Sequence, residues 1–312
     1  MNVQTRIGRG ALRKIRNFVL AFVGLALAPA LPPLVFGSPW AHGAISPIDE
    51  VMSTRFYGQP RQISYTDERR LKSFADKAPI DCPAQDSRTA VLVVAGQSNA
   101  ANSGGQKYVS RHGAEIANFF DGRCYFAQSP LLGSSGEWGD HWTLLANDLL
   151  DRRLFDKVVI APVAVSGSAI SQWARGNLKE LLRTTIEGVQ KRYKVTAFIW
   201  YQGETDFMLG TPEQQYRTDL KAVLNALRTS DDRTPVYLAM ASRCGNSSLG
   251  WSPDNAVSRA QRSVVDPARN IFIGLDADAV LTGLDRYDDC HLSASGMEKA
   301  ASHWADALSA GR

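Results

Sequence analysis

Val91, Leu92, Val93 and Val94 form an unbroken apolar run that stops at Ala95-Gly96 and gives way to Gln97-Ser98-Asn99. A strand with apolar side chains at successive positions has no face to offer water, so it must be covered on both sides. Lys157 to Val165 and Val195 to Tyr201 repeat the pattern, and Pro235 to Ala241 and Asn270 to Leu275 are shorter versions of it. Between these runs lie stretches with helical spacing. His141 to Arg153 carries Leu144, Leu145, Leu149 and Leu150 on one side, and Asn177 to Tyr193 carries Leu178, Leu181, Leu182, Ile186 and Val189. A capping box with proline at the first helical position, Thr211-Pro212-Glu213-Gln214, precedes the stripe Tyr216, Leu220, Val223, Leu224 and Leu227. Residues 254–265 and the segment from about Ser293, with Met297, Ala300, Ala301, Trp304 and Leu308 inward, complete the series. Strands alternating with helices predict an α/β fold, a three-layer sandwich around a central parallel sheet of about five strands. No G-x-G-x-x-G follows a strand and no P-loop occurs, which disfavours nucleotide binding.

The first 43 residues read differently from the rest. Arg6, Arg9, Arg13, Lys14 and Arg16 precede the apolar stretch Phe18 to Ala28, and Pro29, Pro32 and Pro33 interrupt it. That order is expected of an export signal, cleaved after Ala30 or Gly43. The competing reading is an uncleaved membrane anchor, since Phe18 to Phe36 carries no charge. Either places the body outside the cytoplasm, and the membrane enters only through such an anchor. Without those five of the 35 basic residues, 30 basic side chains face 31 acidic ones, because no acid occurs before Asp49. This balance gives no electrostatic case for a nucleic-acid partner. Residues 44–85 are expected to form an N-terminal extension, with a short helix after Thr66, and 86–312 one domain. Four cysteines in an oxidising compartment suggest two disulfides, and three pairings are possible. The placement of loops favours Cys82 with Cys124 and Cys244 with Cys290. No C-x-x-C or similar metal-ligand spacing is present.

Three strands end in small polar loops: Gly96-Gln97-Ser98-Asn99, Ser166-Gly167-Ser168 and Gln202-Gly203-Glu204-Thr205-Asp206. In a parallel sheet these ends share one edge, where open α/β sheets bind ligands. A fourth loop supplies Asp288-Asp289-Cys290-His291. Nucleophilic acyl transfer needs a serine, a base, a group orienting the base, and oxyanion donors. His42, His112, His141 and His303 sit in the leader, a long loop, a helix start and a helix. His291 alone stands in a sheet-edge loop with a carboxylate nearby. Asp288, three residues away, can reach its Nδ1, and Asp289 is the alternative. Residues 100–140, rich in Gly and Ser, are long enough for a binding loop. Trp138, Trp142, Trp173 and Trp251 are candidates to stack on sugar rings, or else loop and core anchors.

GQSN at 96–99, Gly167, WYQGETD at 200–206 and DDCH at 288–291 resemble, in this order, the SGNH/GDSL hydrolase superfamily. Within it they resemble the sialate O-acetylesterase-like branch of carbohydrate acetylesterases. The resemblance spans about residues 90 to 305. It implies a flavodoxin-like sheet, Ser98 as nucleophile, His291 as base and Asp288 as its orienting partner. It also implies an oxyanion hole from the backbone N–H groups of Ser98 and Gly167. The asparagine that the wider superfamily carries in its third block is missing, and Gln202 takes its place as the expected side-chain donor. Gln97, Asn99 and Glu204 are supporting residues. Glu204 would position Gln202, assist His291 in place of Asp288, or belong to a hydrogen-bond network. No metal or cofactor is required. The expected substrate is an O-acetylated extracytoplasmic carbohydrate, since no long apolar flap suggests a fatty-acyl pocket. The alternatives are a glycan O-acetyltransferase using the same serine and a non-catalytic carbohydrate-binding protein.

Overall fold

The computed structural model describes residues 63–228, 233–245 and 250–310. The expected leader, and residues 44–62 of the extension, lie outside this range. Eight strands make the main sheet: β3 (Pro79–Ile80), β4 (Thr89–Gly96), β5 (Ile116–Phe120), β6 (Arg123–Phe126), β7 (Lys157–Ala164), β8 (Ala197–Tyr201), β9 (Val236–Ala239) and β10 (Ile271–Leu275). Their order is β10-β9-β8-β4-β7-β5-β6-β3. The run from β10 to β5 is parallel, and β6 and β3 add antiparallel pairings at one edge. The α/β sandwich expected from the sequence is therefore present, with the five expected strands joined by three more.

Strand β4 is the middle of the fold. All eight of its residues are buried, and its alternating side chains feed two separate cores. Val91, Val93 and Ala95 face helices α2 (Ile170–Ala174), α3 (Asn177–Gln190), α5 (Glu213–Leu227) and α6 (Ala256–Arg262). Ala90, Leu92 and Val94 face α1 (Trp142–Asp151) and α8 (Ala294–Ala310). This two-sided burial is what an all-apolar strand requires, and each fully buried Val or Leu contributes ~1.5–3 kcal/mol. Two short helices complete the order: α4 (Glu204–Met208) and α7 (Ala277–Val280).

Several expectations are corrected. In place of a helix after Thr66, β1 (Ser64–Tyr65) and β2 (Leu71–Ser73) form a small hairpin. Leu71 is fully buried, its N–H donates to the Ser134 carbonyl at 2.8 Å, and its carbonyl accepts from Gly133 N–H at 2.9 Å. Tertiary pairing to the 131–134 loop thus overrides the local helical spacing. The long stretch 100–140 is no single loop either. It holds the β5–β6 hairpin, turned by Asp121 and Gly122, both with positive φ. Trp142 and Trp173 are fully buried core residues, one in each cluster, and so are not sugar platforms. Thr211 does not cap α5; its hydroxyl donates to Asp206 Oδ1 at 2.8 Å. Both expected disulfides form, Cys82–Cys124 and Cys244–Cys290.

Gly96 has φ +140°, and a Cβ there would overlap the Tyr201 carbonyl of the neighbouring strand. Gly96→Ala is expected to destabilise the protein by at least about 2 kcal/mol, read as a lower urea midpoint at unchanged slope.

Candidate active site

The register of the sheet sets the geometry. Gly96 at the end of β4 is level with Ala164 at the end of β7 and with Tyr201 at the end of β8. Three loops therefore leave the sheet together. In the first, Gln97 N–H donates to the Tyr201 carbonyl at 2.9 Å, and the chain makes one 3-10 turn over Ser98–Ala100. The N–H groups of Ala100 and Ala101 close that turn, while the N–H of Ser98 has no partner among the described residues. Ser98 is only 7% exposed. Gln97 points away from it, its Oε1 accepting the N–H groups of Gly203 and Thr205 at 3.3 Å each. Gln97 thereby ties the Ser98 loop to the start of α4.

The second loop is held from both sides. Ser166 N–H donates to Ser135 Oγ at 2.7 Å, and the two hydroxyls lie 2.8 Å apart. Ser168 Oγ donates to the Val165 carbonyl at 2.7 Å and accepts Trp173 Nε1 at 2.8 Å. Between them Gly167 adopts φ +71°, with open space where a Cβ would stand. Its N–H has no partner among the described residues.

The third loop carries a buried network. Gln202 Nε2 donates to Asp206 Oδ2 at 2.6 Å and to the Ser168 carbonyl at 3.1 Å, and its Oε1 accepts Tyr216 Oη at 2.9 Å. Both amide hydrogens are committed inside the protein in this structure, so donation to an oxyanion would require Gln202 to give up one of these bonds. In this structure it braces the second loop. Asp206 Oδ2 also accepts Ile170 N–H at 2.7 Å, so one carboxylate fixes α2 and Gln202 together. Glu204 is fully buried; its Oε1 accepts the Ser242 N–H at 3.2 Å and hydroxyl at 3.1 Å. Burial pushes its carboxyl up. It makes no hydrogen bond to His291, whereas Asp288 does.

In the fourth loop Asp288 Oδ2 lies 2.6 Å from His291 Nδ1, and Oδ1 accepts the N–H groups of His291 at 2.7 Å and Cys290 at 3.1 Å. Burial acts to raise the Asp288 carboxyl, but these hydrogen bonds outweigh it and hold the group below its ordinary value. A carboxylate at Nδ1 favours the tautomer that carries its proton there, the form in which Nε2 can accept a hydrogen bond. Asp289, with φ +65°, turns away and pairs with Arg243 at 2.6 Å. His141 is buried beside Trp142, and burial lowers its pKa to about 3, so it stays neutral.

Two bonds dock this loop on the first. Asn99 Nδ2 reaches the Cys290 carbonyl at 3.5 Å, and Gly105 N–H donates to the Leu292 carbonyl at 2.8 Å. The residues after Ser98 and on either side of His291 are thus joined. No hydrogen bond links Ser98 Oγ to His291 in this structure, and such contacts commonly tighten only around substrate.

Several positioning residues carried no motif in the sequence. Arg286 is buried, donating to the Cys290 carbonyl at 2.6 Å and to Asp278 Oδ1 at 2.9 Å. Asp278 in turn accepts Arg243 N–H at 3.0 Å and Trp251 Nε1 at 2.8 Å. Asp285 accepts Lys299 Nζ, Thr282 N–H and the hydroxyls of Thr282 and Ser295, which hold its carboxyl far below the ordinary range. Asn102 spans the gap to the 131–136 loop, donating to the Leu131 carbonyl and accepting its N–H. Among the described residues no cluster of His, Cys, Asp or Glu is suited to hold a metal ion.

A serine at the carboxyl end of a buried parallel strand, beside a His–Asp pair and two free backbone donors, defines a carboxylic ester hydrolase of the SGNH type. Residues 88–310 match the family described as carbohydrate esterase, sialic acid-specific acetylesterase, and the chain belongs to that family. Among solved structures, a protein from Arabidopsis thaliana is similar at 19% identity and TM-score 0.57, over 72% of this chain and 99% of that one. The structure titled NanS is similar at 16% identity and TM-score 0.51, over 75% of this chain and 98% of that one. A protein from Parabacteroides merdae described as a GDSL-like lipase is similar at 15% identity and TM-score 0.50, covering 73% and 99%. These likenesses concern the fold. A search of curated protein sequences finds no match.

Asp288→Asn is expected to lower kcat on a soluble acetyl ester by on the order of a hundred- to ten-thousand-fold with little change in KM. The depressed carboxyl of Asp285 also makes a stability prediction. Its contribution is present above the unfolded carboxylate value, about pH 4, and is lost as pH falls through the lower folded value. Asp285→Asn should therefore flatten the loss of thermal stability below about pH 4, measured by melting temperature against pH.

Proposed function

We propose that this protein removes O-acetyl groups from a carbohydrate outside the cytoplasm, through an acetyl-enzyme on Ser98. His291 Nε2 takes the Ser98 proton as Oγ attacks the ester carbonyl. The N–H groups of Ser98 and Gly167 receive the oxyanion, a contribution worth on the order of a hundred- to a thousand-fold per donor. The tetrahedral intermediate then collapses, the sugar oxygen departs with the proton held by His291, and the acetyl group stays on Ser98. Water, deprotonated by the same imidazole, releases acetate and restores the serine. Asp288 keeps the imidazole oriented and stabilises its charged form.

The observation that carries this reading is the Asp288–His291 pair, docked through Asn99 and Gly105 against the Ser98 loop, with the N–H groups of Ser98 and of Gly167 in the neighbouring loop both unspent. Membership of a carbohydrate esterase family supports the acetylated sugar as substrate. The extracytoplasmic site is supported by the two disulfides, which use all four cysteines, and by the basic-then-apolar order of the first 43 residues. Among the described residues no helix is long and apolar enough to cross a membrane.

Acetate release from an acetylated oligosaccharide tests the reading. The wild-type protein should release acetate into water, and Ser98→Ala should lose at least about a thousand-fold in kcat while keeping its circular dichroism. A folded wild type that binds the glycan without turnover would favour the binding-protein alternative. Transfer of acetate to an added glycan in preference to water would favour the transferase.

A further inference from the structure

The position of the leaving sugar follows from the esterase reading above, on which this inference rests. If His291 Nε2 protonates the departing oxygen, that oxygen sits ~3 Å from Nε2, and its sugar ring lies beside the imidazole. An exposed aromatic ring stands beside the same imidazole. Tyr287 stacks on His291 with ring centroids 5.9 Å apart and planes inclined by 24°. It is 53% exposed but firmly held. Its hydroxyl donates to the Ser103 carbonyl at 3.0 Å, its N–H to the His291 carbonyl at 3.0 Å, and its ring lies against Gly105.

A second ring is anchored one residue away. Trp138, 64% exposed, donates its N–H to the Asn102 carbonyl at 3.1 Å. Its neighbours are pinned as well: Gly139 exchanges bonds with Gly104, and the Gly136 carbonyl accepts Asn102 Nδ2. Trp138 and Tyr287 thus hang from consecutive carbonyls of the segment that leaves Ser98. The remaining exposed aromatic side chain among the described residues, Tyr65, donates its hydroxyl to Glu137, next to Trp138. Tyr65 and Trp138 therefore meet at residues 137–138, and Tyr287 rests on residues 103–105, the segment whose Gly104 pairs with Gly139. Isolated apolar residues on a surface need no explanation, but fixed aromatic rings collected around a reaction centre are what flat-faced ligands bind.

We propose that Tyr287 stacks the sugar whose hydroxyl is deacetylated and that Trp138 stacks a neighbouring sugar, so that the enzyme acts on oligo- or polysaccharide chains. Sugar rings present axial C–H faces to aromatic surfaces, and Tyr and Trp supply such surfaces with a polar handle that orients them. The hydroxyl of Tyr287 and the backbone of Trp138 are the handles here.

The test compares kcat/KM for ethyl acetate, an acetylated monosaccharide and an acetylated oligosaccharide. Tyr287→Ala should lower the ratio of acetylated monosaccharide to ethyl acetate by about tenfold, mainly through KM, and Tyr287→Phe should retain most of that ratio. Trp138→Ala should lower the ratio of oligosaccharide to monosaccharide by about tenfold. Ratios that stay within twofold in both alanine variants, in an enzyme that does cleave acetylated sugars, would overturn the platform and leave the esterase reading intact. A wild type that cleaves ethyl acetate but neither sugar ester would overturn both. Because each ratio is taken within one folded, active variant, a general loss of activity does not imitate the expected result.

Discussion

Parallel pairing of β4 on both of its edges is the constraint on which the site depends. Because Gly96 is level with Ala164 and Tyr201, three loops depart from one line across the sheet. A one-residue slip would exchange the two faces of β4, sending Val91 and Val93 to the other core and Ser98 out of line with Gly167. The two apolar clusters that forbid the slip are also what make the strand legible in the sequence. Packing and catalysis are linked here by register. The close approach of Gly96 to the Tyr201 carbonyl is the local price of turning the chain at that level.

The proposed base, His291, arrives from the far end of the chain, and its placement uses a different kind of interaction. Arg286, buried, and Asp278, partly buried, form an ion pair at the 286–292 turn, and Arg286 also grips the Cys290 carbonyl beside His291. A buried ion pair is weak evidence for net stability, since desolvation offsets most of its attraction. Its effect here is orientation. The Cys244–Cys290 disulfide and the Asp285–Lys299 contact hold the same turn to the loop after β9 and to α8. His291 is thereby presented by a short segment whose ends and middle are each fastened.

Much of this was legible because the signals were local or strongly patterned. The buried strands announce themselves by unbroken apolar runs, and Asp288 reaches His291 because three residues of turn bring Oδ2 to Nδ1. The misses have physical reasons. Leu71 follows helical spacing locally but pairs its backbone with residues 133 and 134, which no window around Leu71 contains. The β5–β6 hairpin did carry a signal, Asp121-Gly122 between two apolar runs, which was submerged in a Gly- and Ser-rich stretch. Asn102, Ser135, Arg286 and Asp278 act across 29 or more residues or inside a largely buried network, and a lone Asn, Ser or Arg has no spacing to betray it. Gln202 is in the position that the sequence singled out, and its partners Ser168 and Asp206 are what the sequence did not reveal.

Covalent capture of the acetyl group tests the central claim most directly. Acid quenching during turnover of an activated acetyl ester, followed by peptide mass mapping, should find an acetyl group on Ser98 and none on the Ser98→Ala protein. Acetyl on a different residue, or full turnover by Ser98→Ala, would contradict the assignment of Ser98 as nucleophile and with it the mechanism derived from this sheet edge.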